Sequence, residues 1–414
     1  MPNQEVLIVG GGIAGLCCAR HLHLSGVSSM VLESSDQVGG RARTEVIDGF
    51  RLDRGFQVLL TEYPEAKKVL DYGKLDLKTF EPGALVRYRG KFHRFADPWR
   101  RPKHFLSTAL SPLASFGDKI RVARLKNRVC RGSVEDIDAR PEVTTREKLR
   151  EEGFSDRIVD HFFKPFLGGV FLENELTTSS RKFEFVFRMF SKGDAALPSN
   201  GMGEIALQLA QQLPPETVQT KTKVVDVKPN LIRLDGGREL TAANIVIACE
   251  APAAARLLGR QTQSRSHGVS CLYFSADSSP VNEAILVLNG ERDGPINNLC
   301  VPSEVVPGCA PAGKALISVT VLGPTALNEE PRLLESVLSQ LRDWYGAEVN
   351  RWKHLKTMSI PYALPIQRPG ANKPLTNADS KNGIILCGDY LENASIQGAM
   401  VSGRRAAESI LRSR

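Results

Sequence analysis

Gly10, Gly12 and Gly15, three of the four glycines in residues 10–15, limit what this chain can fold into more than any other feature. The stretch from Glu5 to Val9 before them, apolar after its first residue, predicts a short buried strand, and the apolar stretch from Leu16 to Leu24 after them predicts a helix. A second strand is predicted over Ser29 to Leu32, ending at Glu33. Each glycine has a physical task in such a strand–turn–helix. Gly10 makes the tight turn, Gly12 lets a pyrophosphate approach the backbone, and Gly15 lets helix and strand pack closely. Ile13 and Ala14 complete the turn between Gly12 and Gly15, and the N-terminus of the helix after it offers amide hydrogens and a positive dipole end to phosphates. Glu33 lies about 20 residues further on, where a carboxylate accepts from a ribose diol and repels a 2′-phosphate. Glycines collect in loops for turn geometry alone, so the motif by itself is weak. With the strand, the helix and the acid all in place, it reads as a dinucleotide site.

A chain of 414 residues is too long for one ordinary core and predicts two domains. Its 42% hydrophobic and 24% charged residues suit a soluble α/β protein. No apolar run reaches the roughly 18 residues that span a bilayer. The strand predicted at Glu5 leaves the expectation of no signal or transit peptide. The eight cysteines are scattered, with no CxxC pair and no metal spacing. They read as reduced thiols, which places the chain in the cytoplasm or an organelle stroma and not among secreted proteins.

Beyond Glu33 the chain reads Gln37-Val38-Gly39-Gly40-Arg41-Ala42-Arg43-Thr44, then Gly49-Phe50-Arg51-Leu52-Asp53-Arg54-Gly55-Phe56-Gln57. This resembles the signature of the flavin amine oxidase, phytoene desaturase and protoporphyrinogen oxidase superfamily. The resemblance implies an α/β flavoprotein: a Rossmann-like, glutathione-reductase-like FAD-binding domain of three segments, with an α+β substrate domain of mixed sheet and helices. The implied boundaries are 1–64, 197–267 and 370–414 for the FAD domain, and 65–196 and 268–369 for the substrate domain. By the same resemblance Gly40 and Arg41 wrap the pyrophosphate and ribityl chain, where a planar guanidinium suits paired phosphate oxygens. Gly55, Phe56 and Gln57 would lie beside the isoalloxazine ring.

Two further segments carry the resemblance. Leu197 to Glu204 is similar to a Pro-x-x-Gly-Met turn that returns the chain to the FAD domain, followed by a helix over Ile205 to Gln212. Val218 to Val227 and Ala243 to Ala248 read as strands, with a hairpin around Gly236-Gly237 between them, and Val224 is implied to pair its backbone with adenine. Near the other end, Gly383 to Cys387 reads as a strand delivering Gly388 and Asp389 to the ribityl or phosphate end of FAD. Ser395 is placed to cap a helix running to Arg412. That helix start, at Ile396, would aim the N–H groups of Gln397 to Ala399 at the flavin N1–C2=O edge, stabilising reduced flavin. No cysteine or histidine occupies a position of covalent attachment, so noncovalent FAD is expected, with no metal.

In the substrate domain Ser270 to Ser275, Ala284 to Leu288 and Lys314 to Leu322 read as strands and Pro331 to Tyr345 as a helix. Phenylalanines crowd the stretch from His161 to Phe190. Such a stripe is more often core than binding site, and its functional reading is the wall of a tunnel for a long apolar substrate. The catalytic residues are unknown from sequence. Tyr362 is the weak candidate, Tyr390 is the other aromatic expected near flavin, and Lys314 or Lys356 would have to serve as the lysine usual in amine oxidases. The resulting expectation is an FAD-dependent oxidoreductase of desaturase or oxidase type. It would pass a hydride from a hydrophobic isoprenoid, carotenoid-like or tetrapyrrole substrate to flavin, with O2 or a quinone as electron acceptor. A flavin amine oxidase, a reduced-flavin polyene isomerase and a non-catalytic flavoprotein are the alternatives.

Residues 87–131 hold 13 Lys or Arg against Asp97 and Asp118, a net +11, whereas the whole chain carries +8. The positive charge is therefore local. Asp118 to Arg131 reads as a basic helix, with Arg121, Arg124 and Arg128 the cations expected to meet anionic lipid in a peripheral membrane contact. The bland reading is a solvated face. No recognition module accompanies the charge, so nucleic acid is not an expected partner.

Overall fold

The computed structural model describes residues 5–96, 111–260, 266–323, 330–370 and 383–414. The chain opens with β1 (Val6–Val9), α1 (Ile13–Leu24) and β2 (Ser29–Leu32). Every residue of both strands is buried, as parallel strands covered on both faces require. Two hairpins follow, β3 (Thr44–Ile47) with β4 (Phe50–Asp53) and β5 (Gly83–Tyr88) with β6 (Lys91–Ala96). Then come α2 (Phe116–Cys130), α3 (Lys164–Phe171), α4 (Ser180–Lys192) and α5 (Gly203–Ala210). Next are β7 (Val218–Gln219), the meander β8 (Val224–Lys228), β9 (Leu231–Leu234), β10 (Glu239–Thr241), and β11 (Asn244–Ile247). The last third supplies β12 (Ser266–Ala276), β13 (Leu286–Asn289), β14 (Ile296–Cys300), β15 (Ala315–Leu322), α6 (Glu330–Tyr345), β16 (Lys353–Pro365), β17 (Ile384–Leu386) and α7 (Ile396–Arg412).

Five strands form one parallel sheet in the order β7-β2-β1-β11-β17. The chain turns to opposite sides of β1, so a crevice opens at the carboxyl end of that strand, the switch point where doubly wound sheets bind ligands. One face is closed by α1 and α7, which approach each other unusually closely. A Cβ on Gly403 of α7 would stand 2.3 Å from the Ala14 carbonyl oxygen, so only glycine fits there. A seven-stranded mixed sheet has the order β16-β12-β15-β14-β13-β5-β6. All its pairs are antiparallel except β13 with β5. Leu333, Val337, Leu341 and Trp344 of α6 pack on Leu272, Phe274, Ile317 and Val319 of this sheet, in one apolar cluster. That burial follows from the 3.6-residue spacing of apolar positions along α6.

The expected strand over Val218 to Val227 is two strands in different sheets. Lys221 adopts a left-handed φ of 52°, and its N–H bonds to the Ser35 carbonyl at 2.7 Å. The chain leaves the parallel sheet at that point and enters the meander. Much of the basic stretch is likewise divided. Arg87 and Arg94 lie in the β5–β6 hairpin, paired with Glu291 and Glu283, whereas Arg100, Arg101 and Lys103 lie outside the described residues.

One carboxylate joins the first hairpin to the turn before α5. Asp53 Oδ1 accepts from Thr44 Oγ1 at 2.6 Å and from the Met202 N–H at 2.8 Å. Burial pushes the Asp53 carboxyl up to about 6, against the lowering effect of those two hydrogen bonds. The charged form is thus the disfavoured one in the folded protein. Stability from this group is full below the ordinary carboxylate value and is lost as pH rises toward 6. An Asp53→Asn variant keeps an acceptor oxygen and loses the charge. It should be more stable than wild type by about 1–2 kcal/mol at pH 7.5, with the gain shrinking toward pH 4, as urea unfolding would measure.

Candidate active site

A single continuous cavity of about 1780 Å³ runs from the crevice at the end of β1 into the space beneath the mixed sheet. Ordinary small-molecule pockets are roughly 300–1,000 Å³, so this cavity has room for two ligands. Its crevice end is built by the glycine turn. Gly10, Gly12, Ile13 and Ala14 all line it. A Cβ on Gly12 would meet nothing within 4 Å, so its backbone is bared to the cavity, as a phosphate cradle requires. Gly15 does not line the cavity; a Cβ there would lie 2.1 Å from the Gly10 carbonyl oxygen. Its task is helix–strand contact.

Glu33 lines the same wall and is buried. Its Oε2 accepts from the Gly11 N–H at 2.8 Å, and its Oε1 accepts from Ser35 N–H at 2.9 Å and Ser35 Oγ at 2.6 Å. The carboxylate therefore braces the glycine turn against the end of β2. Val224 borders the crevice nearby. Gly40 and Arg41 follow, and the Arg41 guanidinium donates to Asp389 Oδ1 at 2.6 Å and to the Ala363 carbonyl at 3.0 Å. Gln57 fixes this loop by donating Nε2 to the Arg41 carbonyl at 2.8 Å, with Gly55 and Phe56 beside it in the wall.

Gly388, Asp389, Ile396 and Ala399 complete the crevice. The helix start differs from expectation in its free amides. Ser395 Oγ accepts from the Gly398 N–H at 3.1 Å, and the Ser395 carbonyl accepts from the Ala399 N–H at 2.9 Å. Two of the three expected donors are thus already engaged. Gln397 turns away from the cavity and accepts from the Glu65 N–H through Oε1 at 2.9 Å. Bared glycine backbone, buried carboxylate, guanidinium and helix start together fit a dinucleotide cofactor.

The far end of the cavity is apolar. Phe162, Phe163, Phe166, Phe187 and Phe190 line it, whereas Phe171, Phe183 and Phe185 belong to the core. The phenylalanine stretch is thus divided between core and cavity wall. Asn298 and Thr320 add a polar patch to the wall, joined by an amide-to-hydroxyl hydrogen bond of 3.3 Å. Tyr362 lines the cavity and is 45% exposed. Tyr390 is a correction: its ring is buried in the cluster beside the parallel sheet and is not in the cavity wall. Lys314 and Lys356 are corrections too, since they pair with Asp277 and Glu45 away from the cavity.

The lysine that does face the cavity is Lys182 of α4. It is 7% exposed, donates Nζ to the Ala394 carbonyl at 3.0 Å, and lies 5.8 Å above the Phe171 ring. Burial pushes the Lys182 ammonium down to about 7, with Asp389 acting to raise it and Arg41 to lower it further. The sequence did hold a signal for it. Lys182, Phe185, Val186 and Met189 occupy one buried stripe of an amphipathic helix, where a lysine is out of place. At the mouth, α2 contributes Phe116, Lys119, Ile120, Arg124 and Lys126. Phe116 is 79% exposed and Ile120 40%. Arg121 and Arg128 do not share this wall. They pair with Asp118 at 3.5 Å and with Glu184 at 2.8 Å.

The sequence pattern of the flavin containing amine oxidoreductase family matches residues 13–411. The chain belongs to that family. It is an FAD-dependent oxidoreductase. A coproporphyrinogen III oxidase of Propionibacterium freudenreichii is 22% identical over 98% of this chain and 90% of its own length. A 15-cis-phytoene desaturase of Narcissus pseudonarcissus is 27% identical over 38% of this chain and 30% of its own. The crystal structure of an oxidoreductase from Methanosarcina mazei superposes with a TM-score of 0.74 at 18% identity, covering 98% of this chain and 99% of that one. Glu33→Ala and Asp389→Ala should each weaken FAD binding by about 1–3 kcal/mol, the cost of stranding a buried polar partner, as the flavin retained after gel filtration would report.

Proposed function

We propose that the protein holds FAD noncovalently and oxidises a hydrophobic porphyrinogen of the tetrapyrrole pathway class. Residues 1–64, 197–267 and 370–414 hold the cofactor in this reading, and 65–196 with 268–369 hold the substrate. The observation that carries it is the sequence of surroundings along one cavity: a phosphate cradle, then a phenylalanine-walled chamber, then a basic mouth. A porphyrinogen is a broad apolar macrocycle with carboxylate arms, which suits that order. Its body is taken by Phe162, Phe166, Phe187 and Phe190, and its acids meet Lys119, Arg124 and Lys126. A polyamine is the opposite case, since the same cations repel it. When bound, the flavin supplies the hydride acceptor. Arg41 holds the cofactor side of the cavity against Asp389, and the phenylalanines exclude water from the chamber. The full-length similarity to a coproporphyrinogen III oxidase supports the porphyrinogen over the polyene. The apolar chamber favours an isoprenoid polyene as the second reading, which lacks any use for the basic mouth.

Among the described residues no helix is long and apolar enough to cross a membrane. We infer a peripheral contact instead, through the exposed Phe116 and Ile120 and the cations around them, each worth roughly 1 kcal/mol near anionic lipid. Anaerobic mixing of the FAD-loaded protein with coproporphyrinogen III should bleach the oxidised flavin band, and acid denaturation should release all of the flavin. Faster bleaching by putrescine, or by 15-cis-phytoene, would overturn the assignment. Phe116→Ser with Lys119→Gln and Arg124→Gln should abolish co-sedimentation with anionic vesicles at low salt. Equal binding of wild type to neutral vesicles would rule the contact out.

A further inference from the structure

We propose that Lys182 is the proton-accepting residue of this cavity, a proposal that rests on the reading that bound flavin oxidises the substrate there. Forming a new double bond removes two hydrogens from the substrate. One leaves carbon with the electron pair of its bond, which passes to flavin as hydride. The other leaves the neighbouring carbon or nitrogen as a proton, and the electron pair of that bond becomes the new π bond. The proton needs a lone pair to receive it.

Lys182 lies where the two halves of the cavity meet. Ala394 and Asp389 stand on its cofactor side, Val186 and Phe187 line the cavity on its substrate side, and the core ring of Phe171 lies 5.8 Å from its nitrogen. The nearby carboxylate, Asp389, is committed to Arg41 at 2.6 Å and is a poor base while so paired. A buried amine differs in kind. Desolvation disfavours its ammonium, so a neutral nitrogen with a free lone pair is present near neutral pH. Two charged groups act on it: Asp389 favours the ammonium and Arg41 opposes it. His267 of β12 also faces the lysine, and burial first, then Lys182 among its neighbours, holds that imidazole below its ordinary value. After the transfer, the new ammonium keeps its hydrogen bond to the Ala394 carbonyl and gains attraction to Asp389. Lysine is an expensive choice for a buried helix stripe unless its titration is used.

The test reads the proton on the FAD-loaded protein by redox titration with dithionite under nitrogen, from about pH 6 to pH 8.5. Reduction places negative charge on the flavin and raises the proton affinity of a neighbouring amine. Above about pH 7 the wild type should therefore take up one more proton per two electrons than a Lys182→Met variant. Its midpoint potential should fall with pH twice as steeply. Lys182→Arg carries a permanent charge and should show the shallow slope, at a higher potential than Lys182→Met. Methionine removes a buried charge and keeps the volume, so the variant should fold. Bleaching of the flavin by coproporphyrinogen III should quicken about tenfold from pH 6 to pH 8 in wild type and stay flat in Lys182→Met. FAD bound with equal slopes in all three proteins overturns the Lys182 assignment alone. A wild type that binds no FAD overturns the reading beneath it as well.

Discussion

The ion pair between Arg41 and Asp389 is the interaction on which the cavity's geometry depends. Its partners come from the loop after β2 and the turn after β17, 348 residues apart in the chain. Asp389 is only 5% exposed, and a buried carboxylate is costly unless matched by charge and hydrogen bonds. Arg41 meets that need and spends its other nitrogen on the Ala363 carbonyl at the end of β16. One guanidinium thus ties together the glycine-rich loop, the strand that leaves the mixed sheet and the turn before α7. Gln57 holds the Arg41 backbone from behind. Removing Arg41 strands the Asp389 carboxylate in a dry place, and the walls of the crevice lose their common anchor.

Along the cavity the physical character changes in a fixed order. The crevice is polar and built largely from backbone, with a planar guanidinium beside it, surroundings that suit phosphates. The chamber is aromatic, with Asn298 and Thr320 as a paired polar feature in its wall. The mouth is basic and carries an exposed phenylalanine. Lys182 sits at the first boundary and feels both the ionic crevice and the apolar chamber. A group at such a boundary is easily shifted, since desolvation and a neighbouring charge act on it in opposite directions.

What could be read from the sequence was what is local. The glycine turn, the strands flanking it, the hairpin around Gly236-Gly237 and the Ser395 cap each depend on a few consecutive residues, and each is present. Boundaries drifted by one to four residues, as with α1, which begins at Ile13 and not Leu16, and β12, which begins at Ser266 and not Ser270. Features set by distant contacts were less legible. Nothing near Val218 announces that Lys221 will hydrogen-bond to Ser35 and divide the strand. Nothing near Tyr390 shows that its ring turns into the core while Asp389 beside it turns to the crevice. Lys182 was the exception that local reasoning could have reached, because its helix stripe is otherwise apolar.

The separation between Arg41 and its partner also orders events in time. A ribosome adds about 5–20 residues each second, so Arg41 waits roughly 20–70 s for Asp389 to be made. Until then β1 and β2 can pair, yet the crevice has no counter-ion and no second wall, and α1 lacks α7 across its small-residue face. In the proposed reading, cofactor capture is therefore a late event, closer to release of the finished chain than to the folding of its first strands. A chain interrupted between Gly15 and Asp389 would carry the complete glycine motif and still lack the second wall of the crevice.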